Sequence, residues 1–277
     1  MSTPDDLNAV ARRIFERRTA RAIDLPSQAA VHEFVDETLS LMFPHFRRQP
    51  LTREADAVAA LARSRALLES GLTPVAAQAP EGVAAISRAF YAALPEVLER
   101  LDGDAEAIYR GDPAAESVDE VVLAYPGFYA IAIHRLANVL YRLGVPLFPR
   151  IVAEYAHGRT GIDIHPGATI GDAFCIDHGS GVVIGETAVL GQHVKVYQGV
   201  TLGALSVDKA LQHVKRHPTI EDRVVIYANA TILGGDTVIG HDSIIGGNVW
   251  LTSSVPPHTR VYRKADVHVA SGSNYEI

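Results

Sequence analysis

Three short polar segments stand out in the second half of the chain: Asp163-Ile164-His165-Pro166, Asp177-His178-Gly179-Ser180-Gly181 and Arg216-His217-Pro218. One exposed histidine means little. Four of them (His165, His178, His213 and His217), with Asp163 and Asp177 among them, form a set suited to acid–base chemistry. A carboxylate that fixes an imidazole in one tautomer makes it a general base for a weak nucleophile such as a hydroxyl. Asp163 and His178 are 15 residues apart, a spacing that matters once the repeat around them is read. The lone cysteine, Cys175, offers a second nucleophile in principle. It precedes an apolar residue of the repeat, Ile176, and reads as a small core filler, since free cysteines are usually buried.

That repeat has a period of six. Stepping by six gives Ile164, Ile170, Ile176, Val182, Ala188, Val194 and Val200, then again Ile220, Ile226, Ile232, Val238, Ile244 and Trp250. Eleven of these thirteen positions are Ile or Val. A hexad of this kind is the pattern of a β-helix with three flat faces, each face pointing an aliphatic residue inward. A β-sandwich would alternate by two with no fixed six. About 18 residues then make one circuit, so Asp163 and His178 lie nearly one coil apart and an acid–base pair is geometrically open to them. Trp250 is expected to close the end of the core, His165 to cap a turn, and His193, His241, Glu186 and Lys195 to lie at the surface. The two ladders are out of phase, so residues 204–215, with Lys209, His213 and Lys215, are expected to project from the coil as a functional loop.

The first half is helical in period. Val10, Ile14, Val31, Phe34, Val35, Leu39 and Met42 recur at helical spacing and are expected to be core. Residues 51–72 and 83–101 are rich in strong helix formers, with Pro95 and Gly103 expected to interrupt. One or two helices over 118–143, broken near Pro126-Gly127, and a last one from Pro146 to Gly158 complete the half. The fold class is therefore α+β: an N-terminal α-helical domain (1–159), then a left-handed parallel β-helix (160–262) with a projecting loop, and a tail (263–277).

With 277 residues and 48% apolar content the chain can bury a core. A net charge of −7 without a basic cluster argues against nucleic acid. A single cysteine excludes an intramolecular disulfide and a multi-cysteine zinc site. No signal peptide and no apolar run long enough for a membrane span is read, so a cytoplasmic, non-membrane protein is expected.

The motifs themselves resemble those of serine O-acetyltransferases of the hexapeptide-repeat acyltransferase superfamily. The likeness runs through the three polar segments above, Gly-Glu-Thr-Ala-Val (185–189), Gln-Gly-Val-Thr-Leu-Gly (198–203), Ala-Thr-Ile-Leu-Gly (230–234) and Val-Pro-Pro-His (255–258). It reaches the helical half at Arg110-Gly111-Asp112-Pro113-Ala114. The resemblance implies transfer of an acetyl group from acetyl-CoA to L-serine, giving O-acetylserine for cysteine biosynthesis. It implies His178 as general base and Asp163 as its orienting partner. Arg216 and His217 would hold the substrate carboxylate, and Asp112 and Asp177 its ammonium. Thr201, Gly203, Ala228, Gly246 and Gly247 would line an acetyl-CoA groove, with no permanently bound cofactor. It further implies a homotrimer or a dimer of trimers with the active site between adjacent prisms.

Two other readings remain at this point. One is an acyltransferase acting on another amino-acid, hydroxyl or amine acceptor. The other is a zinc-dependent β-helix enzyme of the γ-carbonic-anhydrase type, for which His178, His213, His217 and His241 could be imagined as ligands; its paired histidine spacing is absent, and no metal site is expected. Finally, the chain closes on Tyr275-Glu276-Ile277. By resemblance, the Ile277 carboxylate is expected to enter the active site of cysteine synthase (O-acetylserine sulfhydrylase).

Overall fold

The computed structural model describes residues 4–19, 25–206 and 214–263. Seven helices come first: α1 (Pro4–Thr19), α2 (Gln28–Met42), α3 (Glu54–Leu72), α4 (Val83–Gly111), α5 (Val118–Ala124), α6 (Pro126–Arg142) and α7 (Phe148–Thr160). Phe34, Phe90 and Phe148 meet at the centre, with ring centroids 5.6 and 5.7 Å apart. Gly71 lets α3 approach that cluster: a Cβ there would lie 2.5 Å from the Phe148 ring.

Three expectations for this half are corrected. Helix α4 runs unbroken through Pro95 and Gly103. Its stripe of Ile86, Phe90, Leu94, Val97, Leu101, Ala105 and Ile108 is buried, while Pro95 lies on the exposed face. Packing of that stripe outweighs the loss of one helical hydrogen bond. Val10 and Ile14 are not core: they are exposed on α1, together with Leu7 and Phe15. Their spacing is helical, but nothing among the described residues covers the face they make.

The second half is a parallel β-helix of three faces. Face 1 holds β1 (Asp163–Ile164), β4 (Val183–Ile184), β7 (Thr201–Gly203), β10 (Thr231–Leu233) and β13 (Trp250–Leu251). Face 2 holds β2 (Thr169–Ile170), β5 (Val189–Leu190), β8 (Thr219–Ile220) and β11 (Val238–Ile239). Face 3 holds β3 (Cys175–Asp177), β6 (Lys195–Tyr197), β9 (Val225–Ile226), β12 (Ile244–Ile245) and β14 (Arg260–Val261).

The true ladder departs from a constant six. Ile164 pairs with Ile184, Ile184 with Leu202, Leu202 with Ile232, and Ile232 with Leu251. The first coil is lengthened by the turn at Asp177–Gly181, so the strand residues that stack on Ile164, Ile170 and Ile176 are Ile184, Leu190 and Val196. Val182, Ala188, Val194 and Val200 are buried too, each two residues ahead of those strand positions. One further residue at the turn around Gly234 moves the inward positions to Ile239 and Ile245. Trp250 consequently faces out, 67% exposed, and does not close the core. The circuit from Leu202 to its register partner Ile232 is the longest, as the phase break requires.

A buried ion pair locks the two halves together. Arg135 of α6 donates to both oxygens of Asp104 in α4, at 2.5 and 2.7 Å. Arg135 also donates to the Gly171 carbonyl at 2.9 Å, and Asp104 accepts from the Phe174 amide at 2.9 Å. Gly127 brings α6 onto the first coil, where a Cβ would strike the Ile176 carbonyl at 2.4 Å. The chain therefore holds the end of α4, which carries Asp112, in fixed relation to β3.

Candidate active site

Residues at a β-helix corner stack about one strand spacing apart from coil to coil. The corner between faces 3 and 1 carries His178, Asn229 and Asn248 in the left-handed region, with φ of 59°, 59° and 57°. This conformation, costly for an ordinary residue, recurs because the corner demands it. It leaves the His178 side chain 74% exposed, with Nε2 3.7 Å from Asp177.

Around it lie Asp112, Asp177 and Lys195. The Asp112 carboxylate accepts from the Ala114 amide at 2.8 Å and from the Tyr125 hydroxyl at 2.7 Å. These bonds hold its carboxyl below the usual carboxylate range, the amide foremost, and the same carboxylate pushes Tyr125 up to about 12. Lys195 pairs with Asp177 at 2.8 Å. Its side chain and that of Asp177 are only 16% and 12% exposed. Lys195 is thus no surface residue of the ordinary kind. Beside it Cys175 is buried, and burial pushes its thiol up to about 12, which makes it an inert filler.

Arg216 and His217 sit at a different corner, between faces 1 and 2. His217 is 8% exposed, and its Nδ1 accepts from the Thr187 amide at 3.1 Å, with the Thr187 hydroxyl 2.8 Å away. An N–H donor at Nδ1 leaves the proton of the neutral ring on Nε2. Burial, aided by the Arg216 charge, pulls His217 down to about 4. Gly185 makes room for the ring: a Cβ there would lie 2.0 Å from His217 Cδ2. Arg216 is ion-paired with Glu186, which also accepts from the Tyr141 hydroxyl at 2.8 Å. Lys215 fastens this corner by donating to the carbonyls of Thr187 at 2.7 Å and Pro218 at 3.1 Å. His165 caps the turn below, accepting from the Gly167 amide at 3.0 Å.

The structure brings Asp112, Asp177 and His178 together and sets Arg216 and His217 across the width of face 1 from them. Asp163 begins face 1, its carboxylate within 4.8 Å of ligand atoms of Glu154 and His157. Among the described residues no hydrogen bond joins Asp163 to His178. Of the groove residues, Ala228 and Gly247 lie on the His178 corner, where a Cβ on Gly247 would be 3.2 Å from the Ala228 carbonyl. Thr201 begins β7 just past that corner. Gly203 ends β7, on the Arg216 side, and Gly246 is covered by Val261 and Tyr262. Gln198, on the His178 corner, buries an Oε1 with no partner among the described residues. Lys209, His213 and Ile277 lie outside the described residues.

Sequence reasoning missed Lys195, Glu186, Thr187 and Tyr125. Lys195 was findable only with the register, since its pairing with Cys175 sets it beside Asp177. In two other polar clusters the arginines are already paired. His241, Asp242 and His258 have metal-ligand proximity, but Arg223 holds Asp242 at 2.7 and 2.8 Å. A cavity of about 350 Å³ between α4 and α6 is lined by His134, Arg100 and Arg135, whose arginines pair with Asp172 and Asp104.

An exposed imidazole beside two carboxylates, on a corner of a hexad-built β-helix, fits an acyltransferase of the hexapeptide-repeat class. No family model matches the chain. It is 47% identical over 255 residues to a plasmid serine acetyltransferase of Synechococcus elongatus, covering 84% of this chain and 80% of that one. Among solved structures, serine acetyltransferase 1 of Entamoeba histolytica in complex with L-cysteine superposes with a TM-score of 0.76 at 34% identity, over 83% of this chain and 86% of that one. Serine acetyltransferase of Neisseria gonorrhoeae in complex with serine gives a TM-score of 0.59 at 28% identity, over 86% and 95%. The chain belongs to the serine acetyltransferase family, and its helical region followed by a left-handed β-helix is that family's fold. Among the described residues no helix is long and apolar enough to cross a membrane.

Proposed function

We infer that this chain transfers the acetyl group of acetyl-CoA to the hydroxyl of L-serine. Its family membership supports the reaction. The observation that carries the site is the exposed His178 imidazole set between Asp177 and the Asp112 turn. His178 takes the hydroxyl proton as the serine oxygen attacks the thioester carbonyl. A tetrahedral intermediate forms, the C–S bond breaks, and the imidazolium returns the proton to the leaving thiolate. No acyl-enzyme is required, consistent with the inert Cys175.

Asp163 is assigned the orienting role. His178 is exposed enough to turn toward it, and catalytic hydrogen bonds often close only with substrate bound. Arg216 and the Nε2–H of neutral His217 are suited to a carboxylate: one supplies a planar fork of donors and the other a directed donor. Because they stand across face 1 from His178, a second copy of the chain must bring its Arg216 corner to this His178 corner, which favours a trimer of prisms. The acetyl-CoA arm is assigned to the edge formed by Thr201, Ala228 and Gly247, where small side chains leave a shallow track.

A thiol-release assay with acetyl-CoA against a panel of amino acids and small alcohols tests the reaction. Turnover confined to L-serine is expected. Faster turnover of another acceptor would replace serine in this reading and keep the acyltransferase.

A further inference from the structure

We propose that the corner between faces 2 and 3 holds a divalent transition-metal ion, Zn²⁺ by the donor set, between His241, Asp242 and His258. The site stands apart from both corners of face 1 and does not rest on the acceptor assigned above.

The β-helix assembles this cluster from consecutive coils. Arg223, Asp242 and His258 occupy the same corner position, each in the left-handed region with φ of 57°. The Asp242 amide donates to the Asp222 carbonyl at 3.0 Å, and the His258 amide to the His241 carbonyl at 2.9 Å. The side chains therefore start from a backbone locked at the spacing of neighbouring strands. His241 precedes Asp242, and its ring meets that of His258 edge to face, with centroids 4.9 Å apart.

The donor atoms converge. His241 Nδ1 is 2.7 Å from Asp242 Oδ2, and His258 Nδ1 is 4.0 Å from the same oxygen. All three lie within 4.8 Å of one another. Ligand atoms on a tetrahedral zinc, about 2.0–2.2 Å from the metal, stand roughly 3.3 Å apart. The His258 side chain is 71% exposed, so its rotation closes the difference. The ion takes the place of the proton that His241 Nδ1 donates to Asp242. Two imidazoles and one carboxylate suit zinc, whereas calcium and magnesium take oxygen ligands.

Arg223 leaves room for the ion. It donates to Asp242 Oδ1 at 2.7 Å and to Oδ2 at 2.8 Å, and each carboxylate oxygen has a further lone pair. A ligating carboxylate is commonly fixed by such an outer donor. Glu221 accepts from the His241 amide at 2.8 Å, and Asp222 neighbours Arg223. Glu221, Asp222, Asp242 and Arg223 together carry two net negative charges, which a divalent ion balances. The other described cluster with ligand proximity, Glu154, His157 and Asp163, has a single imidazole.

Calorimetric titration of the metal-free full chain with ZnCl2 tests the site, using His241→Ala and His258→Ala, with His157→Ala and His193→Ala as controls. His193 is exposed on the same corner, outside the cluster. The wild-type chain should bind Zn²⁺ with micromolar or tighter affinity and melt at a higher temperature when loaded. His241→Ala and His258→Ala should each weaken binding by at least about tenfold and lose the melting shift. Both side chains are exposed, and an unchanged melting temperature without metal shows that the variants fold. The controls should keep both properties. Affinity no tighter than about 0.1 mM, a loss below tenfold in either cluster variant, or an equal loss in a control overturns the proposal.

Discussion

The two polar corners that flank face 1 are built in opposite ways. At the corner between faces 3 and 1, His178 is 74% exposed and its Nε2 lies 3.7 Å from Asp177. At the corner between faces 1 and 2, His217 is 8% exposed, its Nδ1 is engaged by Thr187, and its ring fills the space Gly185 leaves. Both are histidines preceded by a charged residue in sequence, Asp177 and Arg216. The difference lies in what each must do. A general base changes protonation state during turnover and needs a setting in which both states are tolerated. A donor to a carboxylate must keep one tautomer, which burial and a fixed hydrogen bond secure.

The largest expected effect breaks the comparison on the exposed side. His178→Ala should lower kcat by about 100-fold or more while leaving the KM for acetyl-CoA nearly unchanged. Retention of more than about a tenth of wild-type kcat would show that the exposed imidazole is not the base. On the rigid side, Arg216→Ala should raise the KM for serine by roughly tenfold, with kcat less affected, because a carboxylate clamp binds ground and transition states alike. Equal losses in kcat and kcat/KM would instead place Arg216 at the reacting centre.

Gly185→Ala sharpens the contrast without touching a polar group. The added Cβ would collide with His217, so the ring must shift, costing on the order of 1–3 kcal/mol of stability and weakening serine binding. A melting curve and the serine KM check it; a variant unchanged in both would mean the corner is not rigid.

The smallest effect is on pH. His217 is held down at about 4 from 6.5, chiefly by burial. Its depressed value means that protons favour the unfolded chain. Its contribution to stability is complete above 6.5, the unfolded value, and falls as pH drops toward 4, by at most about 3 kcal/mol. His217→Gln should flatten that part of the acid limb in denaturant titrations. His134, pulled down to about 3 by burial, should retain its own share in the variant. An unaltered acid limb would show that His217 is not the buried neutral group described here.

Much of this protein was legible from residue types alone. A hexad of Ile and Val can be satisfied only by a coil that points one residue per face inward, so the β-helix followed from the sequence. The phase break between Val200 and Ile220 located the long coil in the same way. The polar residues that interrupt the hexad marked both corners, because nothing in the packing of a coil calls for them.

What the period could not carry was its own slippage. The extra residues at Asp177–Gly181 and near Gly234 look like ordinary turn residues, yet they turned Trp250 outward and moved the inward positions to Ile239 and Ile245. Helix α4 continued through Pro95 because burial of a long stripe elsewhere on the helix outweighed a local defect, a balance set by packing partners remote in sequence. Lys195 met Asp177 only through strand register, and Glu186 met Arg216 only across a corner. Sequence spacing determines which side chains a coil must bury. Which charges face one another across neighbouring coils depends on the residue count of every turn between them, and only the tertiary structure decided that.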